Sequence, residues 1–216
     1  MRTSTSLATT VTALALMFAA RPSAADDPAL GGTTYYSYET FLSPMQEGGE
    51  ETEIPKPLEK SLGSTKPSTP RADRKSRGWG RVRFAKDLSK ALIDVEIKGV
   101  DPTDILMFHI HCGPPGALGP ILIDFGKKMG DLPTALKTGK MSFEIVNSDI
   151  TWASMFPKGF KLALPESCPA EPGWPVQTKT IGGVEHLARR GVLYFNLHTK
   201  AHTYYGEMRG QLHPIP

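Results

Sequence analysis

The sequence predicts an all-β fold, a β-sandwich of about eight short strands with long irregular loops and one or two short helices. Two observations lead to this fold class. Apolar and polar side chains alternate at every second position in many short segments, as they do in half-buried strands. The chain also contains 21 glycines and 19 prolines, many of which lie between these segments, where a sandwich needs turns.

Each predicted strand combines alternation with aromatic or β-branched residues. In one clear example Ile93, Val95 and Ile97 alternate with charged residues. Turn-forming pairs such as Asp101 and Pro102 separate the strands. In chain order, the predicted strands are residues 33–42, 80–84, 93–97, 105–112, 121–125, 141–146, 193–199 and 206–212.

Two short helices are predicted in the less regular part of the chain. Ser148 or Asp149 is a suitable N-cap for a helix that ends near Met155. A second helix is predicted for residues 184–190, because the following Gly191 suits the left-handed conformation that often ends a helix.

A long insertion without a strand pattern is predicted at residues 43–78. An acidic block at 47–53 is followed by a basic block at 66–77, and both blocks are rich in Gly, Pro or Ser. Such a segment has too little apolar surface to offset the entropy lost on ordering, so we expect a disordered, solvated loop. The alternative is an arm that docks onto a charged partner.

The first 25 residues are predicted to be a secretory signal peptide that is not part of the fold. Arg2 gives a basic start, residues 7–20 are apolar, and small residues precede a predicted cleavage before Asp26. The apolar stretch is shorter than the roughly 20 residues of a membrane span, and no later segment is apolar enough for one. We therefore expect a secreted or periplasmic protein with a single domain at 26–216.

The charge of the chain argues against nucleic acid or an anionic membrane as its partner. The full sequence has 25 basic and 22 acidic residues, and the signal peptide accounts for two of the basic ones, Arg2 and Arg21. The remaining net charge of about +1 gives little attraction for a polyanion.

Three histidines alternate with apolar residues in two predicted strands. His109 and His111 lie opposite the apolar set of strand 105–112, and His198 lies opposite the apolar set of strand 193–199. Histidines two positions apart on a strand are about 6.5–7 Å apart at Cα, so both rings can reach one metal ion. The alternation therefore predicts a metal site on the outer surface of the sandwich.

Three imidazoles without an obligatory fourth protein ligand suit copper, with zinc in an open site as the alternative. His202 is a candidate fourth ligand, and Glu207 and Asn196 are candidates for orienting a ligand imidazole. The competing interpretation is that the histidines hydrogen-bond neighbouring strands and only shape the sheet.

The chain has two cysteines, Cys112 and Cys168. In an oxidising compartment they favour a disulfide, which would close a loop of about 55 residues and stabilise the fold by about 3–4 kcal/mol. The alternatives are a free thiol next to His111 that contacts a soft metal, or two unpaired and inert cysteines.

Three motifs in this chain resemble the CHRD (chordin) domain family. Residues 109–120 fit the pattern HIH-x-G…GP, residues 191–199 fit G-x-x-Y-x-N-x-HT, and residues 206–211 fit GE-x-RGQ. The resemblance covers about residues 34–214 and implies a secreted, immunoglobulin-like Greek-key sandwich. The insertion described above and a Pro-rich stretch at 157–180 depart from it. In animal chordin such domains belong to an extracellular growth-factor antagonist.

The order of the histidine strands also resembles copper/zinc superoxide dismutases. This resemblance implies that the three histidines bind copper and that Arg209 guides superoxide or another small anion. Residues 113–140 contain no histidine, so the bridging and zinc-binding histidines of that family have no counterpart. The alternative role of Arg209 is a structural salt bridge with Glu207 or Asp124.

Two functions from different classes follow from these observations. The first is an exported metal-binding protein, with a copper-dependent, superoxide dismutase-like enzyme as its catalytic version. The second is a non-catalytic extracellular module that binds a protein partner and whose histidines are structural. Bound metal in stoichiometric amount distinguishes the two.

Overall fold

The computed structural model describes residues 34–153 and 178–215, which form two five-stranded antiparallel sheets. The predicted signal peptide lies outside these residues. The strands in chain order are β1 (Thr34–Leu42), β2 (Arg77–Ala85), β3 (Lys90–Lys98), β4 (Ile105–Cys112), β5 (Ile121–Asp124), β6 (Lys140–Val146), β7 (Ile150–Ala153), β8 (Leu193–Thr199), β9 (Met208–Gln211) and β10 (His213–Pro214).

The first sheet has the strand order β10-β1-β2-β3-β6, and the second has the order β7-β5-β4-β8-β9. Within the described ranges the chain passes from one sheet to the other four times: between β3 and β4, β5 and β6, β6 and β7, and β9 and β10. This arrangement confirms the predicted all-β sandwich, and each of the eight predicted strands has a counterpart. The strands β7 and β10 were not predicted.

Four short helices lie among the described residues: α1 (Lys56–Leu62), α2 (Phe125–Met129), α3 (Leu132–Ala135) and α4 (Ile181–Arg189). Helix α4 confirms the second predicted helix, and Gly191 has the expected positive φ of 68°. The helix predicted at 148–155 is wrong over its described residues, because Ile150–Ala153 form β7, which pairs with β5. No helix in the described ranges has the length and apolar character that a membrane crossing requires.

The core lies between the sheets and contains the apolar residues of β4 and β8. Phe108 and Phe195 are fully buried with ring centroids 5.9 Å apart, and Phe125 packs against both. On the opposite sheet Gly80 lies so close that an added Cβ would meet the Phe195 ring at 3.3 Å. The inner faces therefore meet at close range, and the opposite faces of β4 and β8 are left to carry the polar residues.

Cys112 is fully buried and disulfide-bonded, as predicted. Its predicted partner, Cys168, lies outside the described residues. Cys112 belongs to the core cluster, on the strand face opposite His111. A free Cys112 thiolate is therefore excluded as a metal ligand.

Residues 43–76, which we call the strap, correct the prediction of a disordered and solvated insertion. The strap contains α1 and two short 3-10 helices, Pro44–Gln46 and Glu51–Glu53. Three of its charged side chains, Glu47, Glu51 and Arg74, are buried and bind partners that are distant in sequence. The buried residues include Pro44, Glu47, Glu51, Leu58, Arg74 and Ser76.

Replacing Leu58 with alanine is expected to lower the free energy of unfolding by about 2–4 kcal/mol. Leu58 is the buried residue of α1, with 0% of its surface exposed. Urea denaturation measures the change. The matched control is Leu106→Ala, because Leu106 is 42% exposed and its loss should matter little. Equal effects of the two substitutions would contradict a packed strap.

Candidate metal centre

Strands β4 and β8 bring the three predicted histidines together. In their antiparallel register His109 lies opposite Asn196, and Met107 lies opposite His198, so His198 is a diagonal neighbour of His109. The ring centroids are 5.2 Å apart for His109 and His111, 5.5 Å for His109 and His198, and 6.1 Å for His111 and His198. One nitrogen of each ring lies within 4.8 Å of the other two.

The three histidines are buried, which corrects the prediction of a site on the surface. Their exposed fractions are 2% for His109 and 1% for each of the other two. Alternation places them on the outer face of the sheet, but loops at 113–120 and 200–206 hydrogen-bond to the rings there. The strap packs against the second of these loops.

Hydrogen bonds fix which nitrogens of two rings are free. Nδ1 of His111 donates to the carbonyl oxygen of Gly119 at 2.9 Å, and Nδ1 of His198 donates to that of Thr203 at 3.0 Å. Because a carbonyl oxygen only accepts, each Nδ1 carries the proton and each Nε2 has a lone pair. Neither Nε2 has a hydrogen-bond partner within residues 34–153 and 178–215.

The third ring offers a free nitrogen as well. His109 Nε2 lies 3.9 Å from Oδ1 of Asp124, which is beyond hydrogen-bond distance. His109 Nδ1 has no hydrogen-bond partner in the described part of the chain. A buried nitrogen without a partner costs about 1–3 kcal/mol, so three of them side by side fit a shared ligand. Nitrogens about 2.0–2.1 Å from one ion are at most about 4.2 Å apart. In this protein one nitrogen of each ring lies within 4.8 Å of the other two.

The surroundings keep these imidazoles neutral, which is the form that binds metals. Burial, followed by the charges of His198 and Arg209, lowers the pKa of His111 to about 3, although the hydrogen bond to Gly119 opposes the shift. Burial lowers the pKa of His198 to about 4. Burial and the neighbouring histidines lower the pKa of His109 far below its usual 6.5.

The metal-free protein is expected to lose stability as the pH falls below 6.5. Between the folded-state pKa of His198, about 4, and its unfolded value of 6.5, the unfolded chain binds more protons. The contribution of His198 is therefore complete above pH 6.5 and falls by about 2 kcal/mol by pH 4.5. Urea denaturation with a chelator present measures this slope. The His198→Gln protein should show a flatter slope, and an equal slope would contradict the low pKa.

His202 and Glu207 form a separate cluster and do not join the three histidines. His202 Nδ1 contacts a Glu207 carboxylate oxygen, and His202 Nε2 lies 3.0 Å from the amide nitrogen of Thr69. The other Glu207 oxygen accepts from Ser76 Oγ at 2.5 Å. Burial raises the pKa of Glu207, but hydrogen bonds from His202 and Ser76 outweigh it and the pKa is lowered. The predicted fourth ligand and the orienting role of Glu207 are therefore corrected: both residues hold the strap.

Asn196 lies opposite His109, but in the described part of the chain its side chain makes no hydrogen bond to a ligand imidazole. Its Nδ2 donates to both carboxylate oxygens of Glu47, at 3.1 and 3.3 Å, and to the carbonyl oxygen of Tyr205 at 3.1 Å. The predicted role in orienting a histidine is corrected to one in anchoring the strap. Burial raises the pKa of Glu47 well above its usual value, although the charge of Arg209 opposes the shift.

Arg209 is 1% exposed, which does not fit the predicted role of an anion guide. Its guanidinium lies 3.4 Å from the centroid of the Tyr194 ring and donates to the carbonyl oxygens of Pro114 and Ala117 at 2.7 Å. Among the described residues it forms no salt bridge with Glu207 or Asp124, so the predicted alternative is wrong as well. Main-chain carbonyl oxygens accept the hydrogen bonds of Arg209 that a carboxylate was expected to accept, and a side-chain pattern cannot predict them.

Arg209 and Tyr194 instead position the loop that holds His111. The Tyr194 ring stacks on the His111 ring at a centroid distance of 5.0 Å and an interplanar angle of 10°. Tyr194 also accepts a hydrogen bond from the amide of Gly119 at 3.0 Å, next to the carbonyl that orients His111. An imidazole, a phenol and a guanidinium are thus layered on one side of the centre.

Sequence reasoning missed Glu51, which fixes the loop behind His198. Its carboxylate accepts the backbone N–H groups of Thr203 and Tyr204 at 2.9 Å and that of Tyr205 at 3.1 Å. It also accepts from Ser64 Oγ at 2.7 Å. The acidic composition around Glu51 predicted only a solvated segment. The main-chain groups that Glu51 binds lie about 150 positions away, so no local pattern could indicate them.

Comparison with known proteins gives one finding. The family model of the CHRD domain matches residues 59–212, which is more than half of the chain. The match contains the three histidines, Tyr194 and Arg209, and it begins within the strap. No curated protein and no solved structure matches the chain.

Proposed function

Because this chain belongs to the CHRD domain family and contains a buried group of three histidines, we propose that it binds one copper ion through His109, His111 and His198. The observation that carries the proposal is the set of three unpartnered ring nitrogens. In histidines that only shape a sheet, both ring nitrogens should find partners. Here each ring has a buried nitrogen without a partner in the described residues, and one nitrogen of each ring lies within 4.8 Å of one nitrogen of the other two.

The chemistry of the donor set supports a transition metal. All three donors are neutral imidazole nitrogens, which suit copper and zinc, whereas calcium and magnesium take oxygen ligands. The group contains no carboxylate and no thiolate. Copper is the proposed ion, and zinc is the alternative that the same donors would accept.

An exported location belongs to the proposal. The disulfide at Cys112 supports it, because disulfides persist in secreted and periplasmic proteins and are rare in reducing compartments. The proposed role is to bind and retain the ion, not to turn over superoxide. The guanidinium of Arg209 is held by carbonyl oxygens, and the three rings are almost inaccessible to solvent.

Elemental analysis of tag-free protein tests the proposed function. Protein loaded with copper and passed over a desalting column is expected to retain one copper per chain. The His109→Gln/His111→Gln protein should retain none, whereas His213→Gln should behave as wild type because His213 is exposed on β10. Wild-type protein that retains no metal would favour the interaction module with structural histidines.

A further inference from the structure

We propose that the centre binds copper as Cu(I) in preference to divalent ions, and that the thioether of Met107 is an additional soft ligand. This inference rests on the proposed copper site and specifies the form of the ion that occupies it. Two independent features carry it: the charge balance of the buried site and the position of Met107.

The first feature is the lack of negative charge among the ligands. The three donors are neutral and at most 2% exposed. An ion that binds them therefore loses its hydrating water and gains no negatively charged ligand in its place. The cost of moving an ion from water into a protein interior grows with the square of its charge, so a divalent ion costs about four times as much as a monovalent one. The ligand set alone therefore favours a monovalent ion.

The charged residues around the ligands also favour a monovalent ion. Asp124 lies 3.9 Å from His109 Nε2 and can balance one positive charge. The cations of Lys127 and Arg209 act on His109 and His111 respectively and oppose any further positive charge. One nearby carboxylate together with two cations suits a monovalent ion better than a divalent one.

The second feature is a methionine in the histidine row. Met107 precedes His109 by two positions on the same face of β4 and lies directly opposite His198 on β8. Directly opposite residues of an antiparallel pair have their Cβ atoms about 4.5–5.5 Å apart. Met107 thus neighbours two of the three ligands, and a thioether is a soft donor that selects Cu(I) over zinc.

Exposure distinguishes Met107 from the three histidines. It is partly exposed, whereas all three imidazoles are buried. The methionine therefore stands at the solvent-facing end of the row formed by Met107, His109 and His111. A Cu(I) ion that approaches from this end meets the thioether first and the imidazoles behind it.

Competition titrations test this inference. Wild-type protein is titrated anaerobically with Cu(I) against a chromophoric chelator, and separately with Cu(II) and Zn(II). We expect Cu(I) to bind more tightly than Zn(II) by at least about 100-fold. Met107→Leu should lower the Cu(I) affinity by about 10- to 100-fold and leave the Zn(II) affinity unchanged. Met45→Leu is the matched control, because Met45 is 61% exposed and lies on the strap.

The outcomes separate the inference from the proposed function. Failure to bind any of the three ions would overturn the proposed function itself. Zn(II) or Cu(II) binding as tightly as Cu(I) would overturn the preference for Cu(I) and leave a metal site in place. X-ray absorption of the Cu(I)-loaded wild-type protein shows directly whether sulfur is a ligand. Its absence would overturn the role of Met107 even if the Met107→Leu protein did not fold.

Discussion

Replacing His198 with glutamine is expected to weaken copper binding by at least about 100-fold and to leave the protein folded. His198 supplies one of three donor nitrogens and comes from a different strand than the other two. Its loss leaves two imidazoles of one strand, which cannot enclose an ion from more than one side. Glutamine keeps a polar group near the carbonyl oxygen of Thr203, so the loop there retains a donor.

The stability of the His198→Gln protein provides the control for folding. Little apolar surface changes, so the free energy of unfolding of the metal-free variant should stay within about 1 kcal/mol of wild type at pH 7.5. Copper should raise the melting temperature of the wild-type and His213→Gln proteins by mass action and leave that of His198→Gln unchanged. Equal copper affinity in the two variants would remove His198 from the site.

The sequence predicted the strands and their faces well because alternation is a local property. Phe108 and Phe195 face the core and His109 and His198 face away from it, as the two-residue period requires. The site histidines could be grouped for the same reason, since two lie on one strand and share a face. That β4 and β8 would be neighbours did not follow from alternation, and it is what brings His198 to the pair.

The burial of the site could not be predicted, because the cover comes from segments without a strand pattern. The strap carries many charges, and composition alone assigns such a segment to solvent. In the fold, Arg74 donates to the carbonyl oxygens of Gly206 and Glu207, and Thr69 meets His202. These partners are more than 130 positions away, beyond the reach of any local pattern.

The contacts of Arg209 could not be predicted from the sequence either. The two-residue period of strand 206–212 places Arg209 on the outer face with Glu207 and Gln211, and the resemblance to superoxide dismutases implies an anion guide there. In the structure the loop 113–120 covers that face, and two of its carbonyl oxygens accept hydrogen bonds from the guanidinium. A side-chain pattern contains no information about main-chain carbonyl groups. The sequence therefore suggested a guanidinium that is free to bind an anion, whereas in the fold its N–H groups donate to carbonyl oxygens.

Replacing Glu51 with alanine is expected to lower the free energy of unfolding by about 3–5 kcal/mol, a large loss for one residue of a segment predicted to be solvated. Its carboxylate accepts the N–H groups of residues 203, 204 and 205, and alanine leaves all three without this acceptor. Hydrogen bonds to a charged acceptor are worth about 1.5–3 kcal/mol each, and partial access of water to the opened loop reduces their sum.

The same substitution should weaken copper binding by about 10-fold, because the loop that Glu51 fixes carries the Thr203 carbonyl that orients His198. Urea denaturation and Cu(I) competition measure the two effects. Glu51→Gln keeps one acceptor oxygen and should fall between wild type and Glu51→Ala in both. Glu59→Ala, an exposed glutamate of α1, is the matched control and should change neither. A Glu51→Ala protein as stable as this control would show that the strap does not fasten the loop, and unchanged copper affinity in a destabilised Glu51→Ala protein would show that the loop does not position His198.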